Sequence, residues 1–423
     1  MKPLLSFLLL GAALGSAAQT PAAAPERVGT VSFAVSCAPS VQPAFNRGVA
    51  LVHDFWYEEA ETQFQQIAKT DPSCAMAYWG EAVGVFQQIW GRPDEGTMTK
   101  AWGYLEKAPE AKTAREREYL AALSAFFKPG AALYPARIDA YASAMGAIAT
   151  RYPDDVDAGA FYALSLLAAE APEDTSLTQE HKALAVLEPL FASHPDHPGV
   201  AHYIIHACDT PSLAPQGLAA AERYGEIAPS AAHAVHMPGH IFARLGMWQQ
   251  DIAVNLKSVA AAENAHQQSG GFDELHADDF LVYAYLQSGQ EARAKQVIRS
   301  SAAVLGRVES MHEMASMAPY FRSKFTIFYD LELEDWQAAA ALQPVAAARP
   351  QTQMLIYWAR TIGAGHLHQA KQARADVSGF NAQLEELRKG KEAYMADSTQ
   401  SQILKNEIAA WAAFAAGKQE EAL

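Results

Sequence analysis

The sequence predicts an all-α chain in which antiparallel helix pairs stack into a superhelix, and three observations lead there. Runs of Val, Ile or Thr long enough for strands are scarce beyond Val28 to Ser36. From Val41 onward helical stretches follow one another, broken by Asp-Pro, Tyr-Pro and Gly turns. The pair His202/His206 recurs as His236/His240 after 34 residues, a period that marks a repeat array.

Residues 1–18 read as a cleavable secretory signal. Lys2 supplies the positive start, Leu4 to Leu14 the apolar run, and Ser16-Ala17-Ala18 the small residues before a cut at Gln19. The run is too short for a membrane span, so the mature protein is expected to be exported, periplasmic or extracellular. Residues 19–40 form a Pro- and Ala-rich leader that ends in an extended arm, Val31 to Val35. The array then fills 41–423. In its first unit, Val41 to Ser73, Gly48 permits two helices to approach, Phe55-Trp56-Tyr57 marks the turn, and Ala60 and Phe64 point into the pair. Asp71-Pro72 stops the second helix. The same punctuation returns with Gly239, Gly246, Trp248 and Asn255, with Gly289 and Ala294, with Trp336 and Ala339, and with Gly365, Leu367 and Ala370. The last residues, Gly417 to Leu423, repeat the opening of a second helix, so the chain is expected to continue past Leu423.

This punctuation resembles the tetratricopeptide repeat from Val41 to the C-terminus. The phrases AFNRGVALVHDFWYEEA, CAMAYWGEA, HPGVAHYIIHA and HAVHMPGHIFARLGMW are similar to an exported, largely uncharacterised bacterial branch of that family. The resemblance implies a right-handed α-solenoid whose first helices line a concave groove, and a protein or peptide partner held there. It supplies no reaction. Trp79 and Phe86 belong to an aromatic set that reads first as core, with these two as candidates for the groove floor.

The chain carries 32 basic and 47 acidic residues, a net charge of −15. Losing Lys2 with the signal makes it 31 against 47, or −16. Such a surface offers nucleic acid or an anionic membrane no basic stripe. P-loop, G-x-S-x-G, H-E-x-x-H and G-x-G-x-x-G signatures are absent, so no enzyme activity is expected. The charged run Arg115-Glu116-Arg117-Glu118 reads as a solvated helix face.

The histidines stand out. Five of the fourteen fall in two short segments, His202 and His206, then His233, His236 and His240. Spacings of three, four and seven place each set on one helix face. Aligned as neighbouring repeats, the next unit adds His276, Asp279 and Tyr283 to the same patch. Imidazoles from adjacent helices suit a divalent transition metal, zinc or copper, with iron favoured if Asp279 joins. The alternative is a polar ladder that contacts an acidic peptide, with Asp279 and Tyr283 among the contacts. Pro238-Gly239 falls inside the helix, where proline costs about 3 kcal/mol, and is expected to re-aim His240 relative to His236. His53 is expected near the groove of the first repeat and His197 in a loop.

Three cysteines remain. Cys37 precedes the first helix and Cys74 follows the second, and a hairpin brings those two points together. A Cys37–Cys74 disulfide is therefore expected, worth about 3 kcal/mol by loop entropy, with Cys208 left free.

Overall fold

The computed structural model of the protein describes residues 26–264, 270–311, 315–346 and 348–423. The signal segment 1–18 and the leader up to 25 lie outside the described residues. All regular structure among the described residues is helical. Gln42–His53 pairs with Tyr57–Thr70, Ala75–Val83 with Glu95–Lys107, and Ala114–Phe127 with Tyr134–Arg151. Val156–Ala168 with Thr178–Ser193 and Pro198–Ala207 with Ala214–Ile227 continue the series. A broken helix, Ala232–His236 and Pro238–Arg244, packs on Trp248–Asn264, and Gly270–Gln287 on Glu291–Ser310. Met317–Glu332 with Trp336–Ala341, Pro350–His366 with Ala370–Lys389, and Thr399–Ala415 with the short Gln419–Ala422 complete it. This is the α-solenoid of antiparallel pairs that the sequence predicts. The spacing is less regular than a fixed 34: first helices begin from 33 residues apart (Gln42 to Ala75) to 49 (Pro350 to Thr399).

The two helices of a pair differ in how they are buried. Tyr57–Thr70 buries Tyr57, Ala60, Phe64 and Ile67, a single stripe at helical spacing, and leaves the rest to solvent. The first helices Ala75–Val83 and Pro198–Ala207 are buried nearly all round and form the inner layer. Close approach is built in at Gly48 and Gly80, where a Cβ would fall 2.7 and 2.1 Å from the Phe64 ring.

Six of the turns inside a pair share one geometry, in which a single residue adopts positive φ two positions after the first helix. Gly246, Gly289 and Gly417 take it without steric cost, whereas Phe55, Glu334 and His368 hold it at φ 56–57°. A bulky aromatic in this region is rare.

The expected open groove is not found over the first pairs. Gln42–His53 packs directly on Pro198–Ala207, so the array curls until its first and fifth inner helices touch. His53 reaches Tyr203, and the Tyr224 hydroxyl donates to Asp54 at 2.9 Å. Trp79 and Phe86, candidates for a groove floor, are each 1% exposed and belong to the core instead. The C-terminal pairs also meet the early ones: the Thr399 amide donates to the Pro172 carbonyl, and Arg92 lies 3.9 Å over the Tyr394 ring.

The N-terminal arm runs extended along the inner helices, burying Val28, Val31 and Phe33. Side chains rather than a strand partner hold it: Phe33 and Val35 amides donate to Asn46 and Gln42. Glu116 accepts from the Ser36 amide and hydroxyl, both at 2.6 Å, while closing a capping box with Thr113. The run around it is therefore no plain solvated face. Glu116 is buried, and Arg115 bridges to Asp155 while covering the Phe33 ring. Cys37 and Cys74 are joined by a disulfide with Cα atoms 4.8 Å apart, and Cys208 is free and buried. No described helix is long and apolar enough to cross a membrane.

Candidate metal centre

All six histidines singled out by spacing and repeat alignment meet where the inner helices converge. His202 and His206 come from Pro198–Ala207, His233 and His236 from Ala232–His236, His240 from Pro238–Arg244, and His276 from Gly270–Gln287. They form two groups of three, His202/His206/His233 and His236/His240/His276, within each of which the ligand atoms lie within 4.8 Å of one another. His202, His233 and His236 are buried, and the other three are half-buried. This is an interior cluster rather than the lining of an open groove.

Proline breaks the helix as its missing N–H requires. Met237 keeps helical dihedrals but separates Ala232–His236 from Pro238–Arg244. Across that break His236 Nε2 and His240 Nε2 lie 3.0 Å apart. Gly239 is needed here, because a Cβ would sit 2.7 Å from Asp251 Oδ1 and 2.8 Å from Asn255 Nδ2.

The hydrogen-bond partners decide where the ring protons are. Asn255 Nδ2 donates to the Asp251 carbonyl at 2.9 Å, and a carbonyl only accepts, so Asn255 Oδ1 is the atom facing His236 Nδ1 at 2.6 Å. His236 Nδ1 must carry the proton. His240 Nδ1 lies 2.8 Å from Asp209 Oδ2, whose partner oxygen accepts from Arg244. Burial would raise the Asp209 carboxyl, but the His240 ring and the Arg244 guanidinium outweigh it and hold it below the usual range. Asp209 is an acceptor, so His240 Nδ1 carries its proton too. With Nδ1 protonated on both rings, the Nε2 atoms of His236 and His240 face each other at 3.0 Å, and no neutral tautomer is left to put a proton between them. That arrangement is repulsive unless a cation stands between them.

The other triad is arranged differently. His202 Nδ1 donates to the His53 carbonyl at 2.6 Å, leaving its Nε2 lone pair facing His206 Nε2 at 3.0 Å. His206 satisfies that lone pair with an Nε2 proton. His233 is buried and neither of its nitrogens has a hydrogen-bond partner, an expensive condition for a polar side chain. Burial above all holds His202, His233, His236 and His276 well below the ordinary imidazole value, and pushes His206 down to about 3. These rings are neutral at pH 7, the form that binds a metal.

Phe55 closes one side of the cluster. Its ring centroid lies 4.3 Å from that of His202 and 5.4 Å from those of His206 and His233. It does so from the positive-φ turn position that glycine fills in three of the other turns. Trp90 adds an edge against His233. On the opposite side a cavity of about 620 Å³ reaches His240 and His276, with Arg244, Trp248, Tyr283 and Lys324 on its walls. Asp279 lines it too, but its Oδ2 is taken by Lys324 at 2.5 Å and it does not join the imidazoles. Its Oδ1 is buried without a hydrogen-bond partner.

Sequence reasoning missed Asn255's part in the supporting shell. Asn255 reads as repeat punctuation, and only a polar residue at a buried helical position hints at more. His197, expected in a loop, caps Pro198–Ala207 by accepting from the Val200 amide and is buried. It joins His53 and Asp157 in a separate group: His53 Nε2 and His197 Nε2 lie 2.9 and 3.3 Å from Asp157 Oδ1, and His53 Nδ1 is 2.9 Å from the Tyr203 hydroxyl.

No protein-family model and no curated protein matches this chain. Among solved structures, the TPR domain of P58(IPK) aligns over 86% of this chain and 98% of its own, at 11% identity and a TM-score of 0.21. A score that low carries no argument about fold or function.

Proposed function

We propose that this chain is an exported metal-binding protein, a helical-repeat scaffold whose curled inner helices hold zinc or copper on histidines. The observation that carries the reading is the pair His236 and His240, whose Nδ1 protons are committed to Asn255 and Asp209 and whose Nε2 lone pairs converge. A point about 2.1 Å from both nitrogens exists at that separation, and His276 offers a third ligand beside it. Export rests on the signal-like residues 1–18 and is compatible with the Cys37–Cys74 bridge.

The test is elemental analysis of tag-free protein loaded with zinc(II) or copper(II) and freed of loosely held ions. Wild type retains at least one ion per chain, and the double variant His236→Ala/His240→Ala retains none at that pair. Wild type at background level overturns the reading. A second reading, a scaffold for a protein or peptide partner, is favoured by the cavity on which Asp279 and Tyr283 stand. Partner capture that persists unchanged in metal-free protein supports that one instead.

A further inference from the structure

The six imidazoles do not gather around one point. Ring centroids in the inner triad are 4.7, 5.1 and 6.3 Å apart, and in the outer triad 4.9, 4.3 and 5.8 Å. The triads lie side by side, with His233 to His236 at 6.2 Å and His206 to His240 at 6.5 Å. An ion reaches about 2.1 Å to an imidazole nitrogen, so each triad suits an ion of its own and the two ions would be neighbours. Resting on the metal-binding reading above, we infer that the cluster is a two-ion centre filled in a fixed order. The outer triad, His236/His240/His276, takes the first ion, and the inner triad, His202/His206/His233, holds a second more weakly.

The order follows from what supports each ring. Two outer histidines already have their Nδ1 protons fixed and their Nε2 lone pairs aimed. In the inner triad only His202 is held in this way. His206 must move its proton from Nε2 to Nδ1 before it can coordinate, and His233 has no partner to orient it. Hydrogen-bond partners of this kind are worth about 10–100-fold in metal affinity. Repulsion from the first ion acts in the same direction. Access agrees, since the cavity opens onto His240 and His276, whereas Phe55 and Trp90 cover the inner triad.

Full-length mature protein, tag-free and stripped with chelator, is titrated with zinc alone by calorimetry, with bound metal counted by elemental analysis. Two ions bind per chain in two steps, the second about 10–100-fold weaker. His206→Gln keeps the first step and loses the second, while His276→Gln weakens the first. Protein loaded with two copper(II) ions gives a half-field paramagnetic resonance from adjacent ions, a readout that needs no variant. Saturation at one ion, loss of the first step in His206→Gln, or two independent copper signals overturns the inference and leaves the metal-binding reading standing. Binding of no ion overturns both.

Discussion

Two groups of buried histidines lie within one helix of each other and differ in a single respect. Around Asp157 every nitrogen has a use: His53 and His197 both turn Nε2 to the carboxylate, His53 Nδ1 faces the Tyr203 hydroxyl, and His197 Nδ1 accepts from Val200. Around His236 the outward protons are equally well placed, yet the inward lone pairs are opposed and His233 has no partner at all. Both sites can be drawn as three metal ligands within reach of one another. Only the second lacks something when no ion is there. Counting ligands does not separate a structural network from a binding site; accounting for each proton does.

The comparison predicts opposite responses to substitution. The largest is at Asp157, where Asp157→Ala strands two buried ring donors and should cost about 3 kcal/mol or more in urea unfolding of metal-free protein. The zinc stoichiometry should not change. If metal is lost with Asp157 while stability is kept, the roles assigned to the two groups are reversed.

Ligand linkage gives the next effect. Zinc at 100 times its dissociation constant should stabilise the protein by about 2.7 kcal/mol, read as a shift in the same urea transition. The pH dependence follows from protons bound. Burial lowers His53 to about 4, so between pH 6.5 and 4 the unfolded chain takes up a proton that the folded chain refuses. His53's contribution to the stability of the metal-free protein therefore falls as pH drops through that window, while the buried carboxyls of Asp251 and Asp278, raised to about 8 and about 7, act in the opposite direction. The zinc-loaded protein should fall more steeply, since imidazoles that gain protons release their ion, and the two curves should meet at the acid end. Parallel curves would mean that zinc is not held by imidazole.

A smaller effect is expected in the supporting shell. Asp209→Ala frees His240 Nδ1 and should weaken zinc by about 10–100-fold with the helix content intact. Smallest of all is the cost of His240→Gln to metal-free protein, under about 1 kcal/mol, because it removes one of two opposed lone pairs. A loss as large as that at Asp157 would show that His240 is a structural residue like His53.

Much of this was legible in the sequence. The helix pairs, the turn at Phe55-Trp56-Tyr57 and the break at Pro238 follow from local punctuation, and spacings of three, four and 34 bring out five of the six clustered histidines. His276 required the alignment of a third unit. What stayed hidden depends on contacts between distant units. Nothing near Trp79 or Phe86 says that Phe33 of the arm and Phe161 cover the one, or that Phe126, Phe127 and Tyr141 cover the other. Nothing near Asn255 says that its carbonyl oxygen sets a proton on His236. Local patterning records which face is buried, not what it is buried against.

The meeting of the first and fifth inner helices changes how the chain must fold. In an open repeat array each unit consolidates on its predecessor, and stability spreads along one dimension. Here His53 bonds to Tyr203 across 150 positions, and Tyr224 to Asp54 across 170. Those contacts raise the contact order and delay their reward until a long loop has closed. As the chain is made, the first pair must wait, its inner face bare, until the fifth has emerged. Under the proposed export, the chain would meet that delay after transport, when both ends of the contact are present at once.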